Sequence, residues 1–487
     1  MKKILVYNVF IMRNSFLYIC KMFAVVILTI GLHTNSYVLA IQDLTTVPAG
    51  ETITLEDCIN YAFENSPIIK KAKNNVLAAK SKIGQAKSTY FPSLSASTGY
   101  YIQQNGENWD RSKNYHGVSV DLSQKIYDFG KMNATLNASK YNTKAAELAL
   151  EYAYVQTAYN VKMRYINCLH YWAKVLINQR NVAIQQLQYE RAKALFDEGL
   201  KSRIDVVDAE VALDNAKFAL VEITSDYYTE IMLLKNAMYW ANCPQQYKLA
   251  PTEAFNILTD YKYESDLSKS IDDADFHTVL TQGIHKENVI AQMKDNFFVL
   301  PHDIDWYLDY SRKNNPYILG IKLIENAANE NLKGTKRMYN PDIDLALGYN
   351  LRNTNVLVSN GFNAGVKFGF GGINAMYFKT KIEEAKANLA MAQNDTETYI
   401  IDNEWDVRDK VAWMLKFPKE VEIKLDQIER SLEYFELADG RYSVGTGNFI
   451  ELQNAANEYY KAQLDYVDVI SEYNQVYAML EKSIGMR

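Results

Sequence analysis

The 487-residue chain carries 52 Lys and Arg against 58 Asp and Glu, a formal net charge of −6. That balance excludes the basic face a nucleic-acid partner requires. With only 9 prolines and as many as 36 tyrosines, the composition favours long unbroken helices and surfaces that meet both water and an apolar phase.

Residues 1–40 read as an export signal. Lys2, Lys3, Arg13 and Lys21 precede an apolar stretch from Met22 to Leu32, and Val38-Leu39-Ala40 offers small residues for cleavage near Ala40. Met12 and Met22 are alternative starts. The stretch is too short for a membrane anchor, which needs about 20 apolar residues. Beyond it no run of eighteen apolar residues occurs, so a membrane crossing is expected only by β-strands. Cys58, Cys168 and Cys243 are odd in number and widely spaced in helical patterns. They are expected to be buried small hydrophobes, with no disulfide framework and no metal site.

After Asn65-Ser66-Pro67 and Tyr90-Phe91-Pro92 the residues alternate strictly. Leu94, Ala96, Thr98, Tyr100 and Ile102 fall on one side of a strand, and Ser93, Ser95, Ser97 and Gly99 on the other. Val118, Val120 and Leu122 alternate in the same way with Ser119, Asp121 and Ser123, as half-buried strands do. A polar stretch, Asn105–Asn114, joins the pair.

Between Gly130 and Gly199 no glycine or proline occurs for 68 residues, enough for a helix of about 100 Å. Its apolar positions, Leu148, Tyr152, Val155, Tyr159, Ile166, Leu169, Ala173 and Leu176, step by 4 and 3 as a coiled-coil seam does. After the turn the pattern resumes at Val207, Val211, Phe218, Val221, Tyr228 and Met232, which predicts helix–helix packing.

The same order then returns. Pro67 and Pro92 are 25 residues apart, and so are Pro316 and Pro341. Gly99-Tyr100 is answered by Gly348-Tyr349, and Phe196-Asp197-Glu198-Gly199 by Tyr442-Ser443-Val444-Gly445. Strands are expected again at Ile343–Leu351 and Phe362–Phe370, and long helices at 373–439 and 448–483 with a break at Pro418. The chain is therefore a tandem duplication, read as a signal (1–40), a first helix–strand–strand–helix copy (41–244), an insertion (245–312) and a second copy (313–487). The insertion is polar; His277 and His285 sit near Asp272, Asp273 and Asp275 without metal-ligand spacing.

Four strands are too few to close a membrane barrel, and an open sheet edge cannot stand in lipid. Other copies of the chain must complete the barrel, and the residues alone allow two or three copies.

Leu55-Glu56-Asp57-Cys58-Ile59, Asn65-Ser66-Pro67, Tyr90-Phe91-Pro92-Ser93-Leu94, Tyr127-Asp128-Phe129-Gly130 and Tyr442-Ser443-Val444-Gly445-Thr446-Gly447, taken in order, resemble the TolC family of outer-membrane efflux proteins. The resemblance implies an α+β membrane protein: a homotrimer whose 12-stranded β-barrel in the outer membrane continues as a 12-helix periplasmic α-barrel. It also implies passive export driven by an inner-membrane pump or ABC transporter through a periplasmic adaptor, and no cofactor. Pro92 and Pro341 would mark the barrel-to-helix junctions. Gly199, Leu200, Gly445, Thr446 and Gly447 would form the tip turns on which the adaptor docks. Asp205, Asp208 and Glu451 would ring the entrance constriction, with Tyr442 beside them. The family's lock arginine falls on Gly447, so a lock would have to be rebuilt from Arg203 or Arg441, with Lys201 close by in the first turn.

Two other classes fit less well. Gly369-Phe370-Gly371-Gly372 and Gly445-Thr446-Gly447 lack the strand–loop–helix setting of a phosphate cradle, and no catalytic constellation is present, so no enzyme is expected. A periplasmic helical scaffold or adaptor would account for the helices but not for four amphipathic strands.

Overall fold

The computed structural model describes residues 52–103, 113–240, 248–250, 300–354, 358–369 and 375–487. The expected signal, Cys243, most of the insertion with His277 and His285, residues 104–112 and 355–357 between paired strands, and residues 370–374 with the expected strand end Phe370 lie outside the described residues.

The first copy opens with β1 (Thr52–Ile53), α1 (Leu55–Asn65) and α2 (Pro67–Ser88). Thr54 and Asp57 close a reciprocal capping box on α1. Ser66 then caps α2 with Pro67 in its first turn, where a missing N–H has no bond to lose. Strands β2 (Ser93–Gln103) and β3 (Lys113–Tyr127) lead into α3 (Lys131–Asp197) and α4 (Arg203–Ala237). Between the copies, β4 (Lys248–Leu249) pairs in parallel with β1. The buried Tyr165 hydroxyl lies 3.0 Å from the Ile53 carbonyl and 2.5 Å from that of Ala250, pinning this small bridge against α3.

The second copy repeats the order with α5 (Ile304–Asn314), α6 (Pro316–Lys336), β5 (Asp342–Thr354), β6 (Val358–Gly369), α7 (Ala375–Met414), α8 (Phe417–Ser443) and α9 (Phe449–Ile484). Asn315-Pro316 breaks α5 from α6 as Ser66-Pro67 breaks α1 from α2. Helix α5 runs across the expected 312/313 boundary, so the pattern shared with α1 begins some residues earlier. The break expected at Pro418 falls at Met414–Phe417, and Pro418 sits in the first turn of α8.

The four long strands form one antiparallel sheet in the order β2-β3-β5-β6. Register brings the alternating patterns of both copies onto common faces. Leu94, Leu122, Leu347 and Ala364 stand in line, as do Ala96, Val120, Tyr349 and Phe362. The other face aligns Ser95, Asp121, Gly348 and Asn363, then Ser97, Ser119, Asn350 and Gly361. There the Ser97 and Ser119 hydroxyls are 2.7 Å apart, and Asn350 donates to Asn363. None of the described residues covers the apolar face: Leu94, Phe362 and Phe368 are 71%, 72% and 64% exposed. Strands β2 and β6 are its edges.

The 67-residue α3 is the centre of the helical part, packed on α1, α2, α4, α6 and α9. It therefore buries more than the one seam read from its sequence: Val155, Ile166, Leu169 and Ala173 are buried, but so are Val161, Tyr165, Cys168, Val175 and Ile177. Helix α4 departs from expectation. Val207, Val211, Phe218, Val221, Tyr228 and Met232 are all exposed, whereas Ala209, Leu213, Ala216, Ile231 and Leu234 are buried. Small residues let α4 approach α3, and the large apolar stripe points the opposite way. No helix among the described residues is long and apolar enough to cross a membrane.

Candidate functional site

Each copy ends its first long helical arm in a tight turn, and the two turns are built alike. At the first, Gly199 stands at φ +75, the Leu200 and Lys201 amides donate to the Leu195 carbonyl (2.9 and 3.3 Å), and Ser202 caps α4. At the second, Gly445 stands at φ +80, the Thr446 and Gly447 amides donate to the Arg441 carbonyl (3.0 and 2.8 Å), and Asn448 caps α9. Both glycines occupy the left-handed region that ends helices without a Cβ penalty. The duplication thus survives as one repeated hydrogen-bond pattern.

Gly447 is required for a different reason. A Cβ there would lie 3.0 Å from the Tyr442 amide nitrogen and 3.1 Å from the Arg441 carbonyl carbon. The arginine suggested by the resemblance would fit at this position only with a shift of a few tenths of an ångström in the turn.

The charges at the tips fall into two kinds. Glu451, in the first turn of α9, is paired with Arg441 at 2.6 Å across the turn. Asp205 and Asp208 are half-buried in the first two turns of α4 and make no ion pair among the described residues; Arg203, beside them, is exposed and likewise makes none. Of the two candidates for a rebuilt lock, Arg441 is therefore engaged within its own turn, and Arg203 is not engaged. Leu200 is 66% exposed and Val444 73% exposed, so both turns present an apolar residue outward.

Tyr442 is fully buried, edge-on to Phe449 at 5.8 Å. Its hydroxyl has no hydrogen-bond partner among the described residues. Burial, and then the charge of Asp205, push that hydroxyl up to about 12, with Arg191 acting the other way.

Three further contributors gain a role only from the structure. The Lys201 ammonium donates to the Gly447 carbonyl at 2.9 Å and stands 4.7 Å from the centre of the Tyr442 ring. Arg191 of α3 and Asp439 of α8 pair at 2.5 Å, further from the tips. Burial raises the Asp439 carboxyl, against the charge and hydrogen bond of Arg191. Lys201 and Gly447 are 246 residues apart, as are Gly199 and Gly445, so the contact joins equivalent positions of the two turns. Deeper along α3, Arg180 donates to Gln463 of α9 at 2.8 Å, and burial lowers the guanidinium to about 10.

At the other end, Pro92 lies between α2 and β2, and Pro341 immediately precedes β5. Lys125 and Lys131 hold Asp342 at 3.1 and 3.0 Å, Lys131 also donates to the Asn340 carbonyl, and Arg337 donates to the Gly130 carbonyl at 2.9 Å. Asp128 accepts from the Gly130 amide at 2.9 Å and from the Met132 amide. These bonds fix how β3 enters α3 and how α6 enters β5. Among the described residues no group of His, Cys, Asp and Glu is placed to hold a metal ion, and Cys58 and Cys168 are buried.

The sequence matches the outer membrane efflux protein family over residues 58–238 and 308–486. Outer membrane protein TolC of Vibrio cholerae is 25% identical over 208 residues, 41% of this chain and 47% of that protein. Cation efflux system protein CusC of Escherichia coli K12 is 24% identical over 163 residues, 32% and 35%. The chain thus spans less than half the length of these curated relatives in alignment. The fold is similar to solved structures of the outer-membrane channel OprN (TM-score 0.71, 14% identity, 89% and 90% of the two chains) and of CusC (0.71, 14%, 91% and 96%). The VceC outer membrane protein of Vibrio cholerae is a third (0.67, 13%, 89% and 96%). With both copies matched, and with the strand–helix order of each in place, the chain belongs to the outer membrane efflux protein family.

Proposed function

We propose that the chain is one subunit of a trimeric exit duct in the outer membrane. In this reading it conducts substrates passively from periplasm to exterior, with energy from an inner-membrane pump or ABC transporter linked by a periplasmic adaptor. The observation that carries it is the four-stranded sheet: one face largely apolar and covered by none of the described residues, the other largely polar, with β2 and β6 as open edges. Lipid suits the first face and a water-filled lumen the second. Unpaired edges are excluded from lipid, so β6 of one copy would pair with β2 of the next, and three copies would give twelve strands.

The helices supply independent support. The exposed stripe Val207–Met232 on α4, covered by none of the described residues, would pack on a neighbouring copy, closing a periplasmic tube of twelve helices. At its far end the tips carrying Gly199, Leu200, Gly445, Thr446 and Gly447 would receive the adaptor. Asp205, Asp208 and Glu451, repeated by symmetry, would ring the entrance and concentrate cations there, since a cleft of one sign focuses the field.

Fractionation of producing cells followed by native mass measurement of the extracted protein tests the assembly. Recovery in the outer-membrane fraction, dependent on detergent and at the mass of three chains, is expected. A water-soluble monomer contradicts it and favours a helical scaffold instead.

A further inference from the structure

We infer that Lys201 is a latch that ties the two hairpin tips of one protomer together, the α3–α4 tip to the α8–α9 tip. Its ammonium donates to the Gly447 carbonyl at 2.9 Å and lies 4.7 Å from the centre of the Tyr442 ring. Both partners belong to the second copy's turn, while Lys201 belongs to the first.

The repeat explains the choice of residues. Lys201 and Gly447 are equivalent positions of the two copies, each two residues past its turn glycine. A side chain at Gly447 would be tightly placed, because its Cβ would meet the Tyr442 amide nitrogen at 3.0 Å and the Arg441 Cβ at 3.2 Å, so the turn would have to give by a few tenths of an ångström. At this pair of equivalent positions the second copy contributes an acceptor and the first contributes the cation. The Tyr442 ring is fully buried, so the ammonium rests on a platform that does not move independently of α8. A lysine suits this contact because its compact charge can sit over a ring and donate to a carbonyl at once. The same residue is half-exposed, so water can replace the carbonyl when the tips part, which makes the contact reversible.

The geometry of the latch is independent of any pore; its consequence, holding the entrance narrow, rests on the exit-duct reading above. Hydrogen exchange read by mass spectrometry on the full assembled protein separates the two. Lys201→Met keeps the stem and removes charge and donors; Lys201→Arg keeps a charged donor. The expected result is exchange about tenfold faster in the second turn, residues 441–450, for Lys201→Met, with Lys201→Arg close to the unsubstituted protein. A change confined to residues 195–204, or no change, overturns the latch. Bilayer conductance of the same samples is scored separately. Accelerated exchange in a protein without a pore sinks the duct and leaves the latch standing, and a pore with unaltered exchange does the reverse.

Discussion

The two glycines of the second tip turn do different physical work, and substitution should expose the difference. A Cβ at Gly445 would meet nothing within 4 Å, but the backbone there stands at φ +80, so Gly445→Ala is expected to cost about 1 kcal/mol in backbone strain. Gly447→Ala has no such strain but meets atoms at 3.0 to 3.2 Å, an overpacking cost of about 1–3 kcal/mol. Both should speed exchange of the Thr446 and Gly447 amides. Gly84→Ala, on an exposed face of α2 with open space around it, should stabilise its helix by about 1 kcal/mol and leave the tip unchanged. Slower exchange at the tip in Gly447→Ala would contradict this explanation of the turn. The glycines themselves were legible in the sequence, because helix C-termini favour them at fixed spacing. The Lys201 contact was not, because it depends on two turns, 246 residues apart, meeting in space.

At the scale of elements, α3 and α8 are joined by Arg191 and Asp439, and the carboxyl is raised by burial more than Arg191 lowers it. The packed form thus holds a proton more readily than a solvated carboxyl does. Packing stability is expected to fall as pH rises from the ordinary carboxylate value through the raised one, and to be flat on either side. Mild acid should therefore favour the packed hairpins, and Asp439→Asn should flatten that window in thermal melts taken across it. A second prediction concerns α4. Phe218 and Val221 are 70% and 69% exposed, so Phe218→Glu or Val221→Glu should alter protomer stability by only about 0.5 kcal/mol. Either should weaken assembly sharply, seen as loss of the trimer mass with helical content retained. An intact trimer in both would show that this stripe is not the contact. Here periodicity caught the large residues, Val207 to Met232, and passed over Ala209, Leu213 and Ala216, which face α3. Small residues give a weak periodic signal though they mark the closer approach. In α3 one seam was legible, but helices packed on several sides of it bury residues all round it, which no single stripe describes.

For the molecule as a whole, the strands show what patterning conveys and what it leaves open. Alternation identified both faces of each strand; the β3–β5 pairing that joins the copies into one sheet came only with the structure. That sheet, ending in Lys125, Lys131 and Arg337 bonds at the helix junction, is the feature that makes a shared barrel the simplest way to cover one face and pair both edges. The duct reading also assigns Asp205, Asp208 and Glu451 a common role at the entrance, although Glu451 alone is paired with an arginine. Reconstitution of the purified assembly into planar bilayers tests the central claim most directly. Discrete cation-preferring conductance steps are expected, with the preference reduced when Asp205→Asn, Asp208→Asn and Glu451→Gln are combined. A correctly folded, outer-membrane-derived assembly that gives no conductance would contradict the claim.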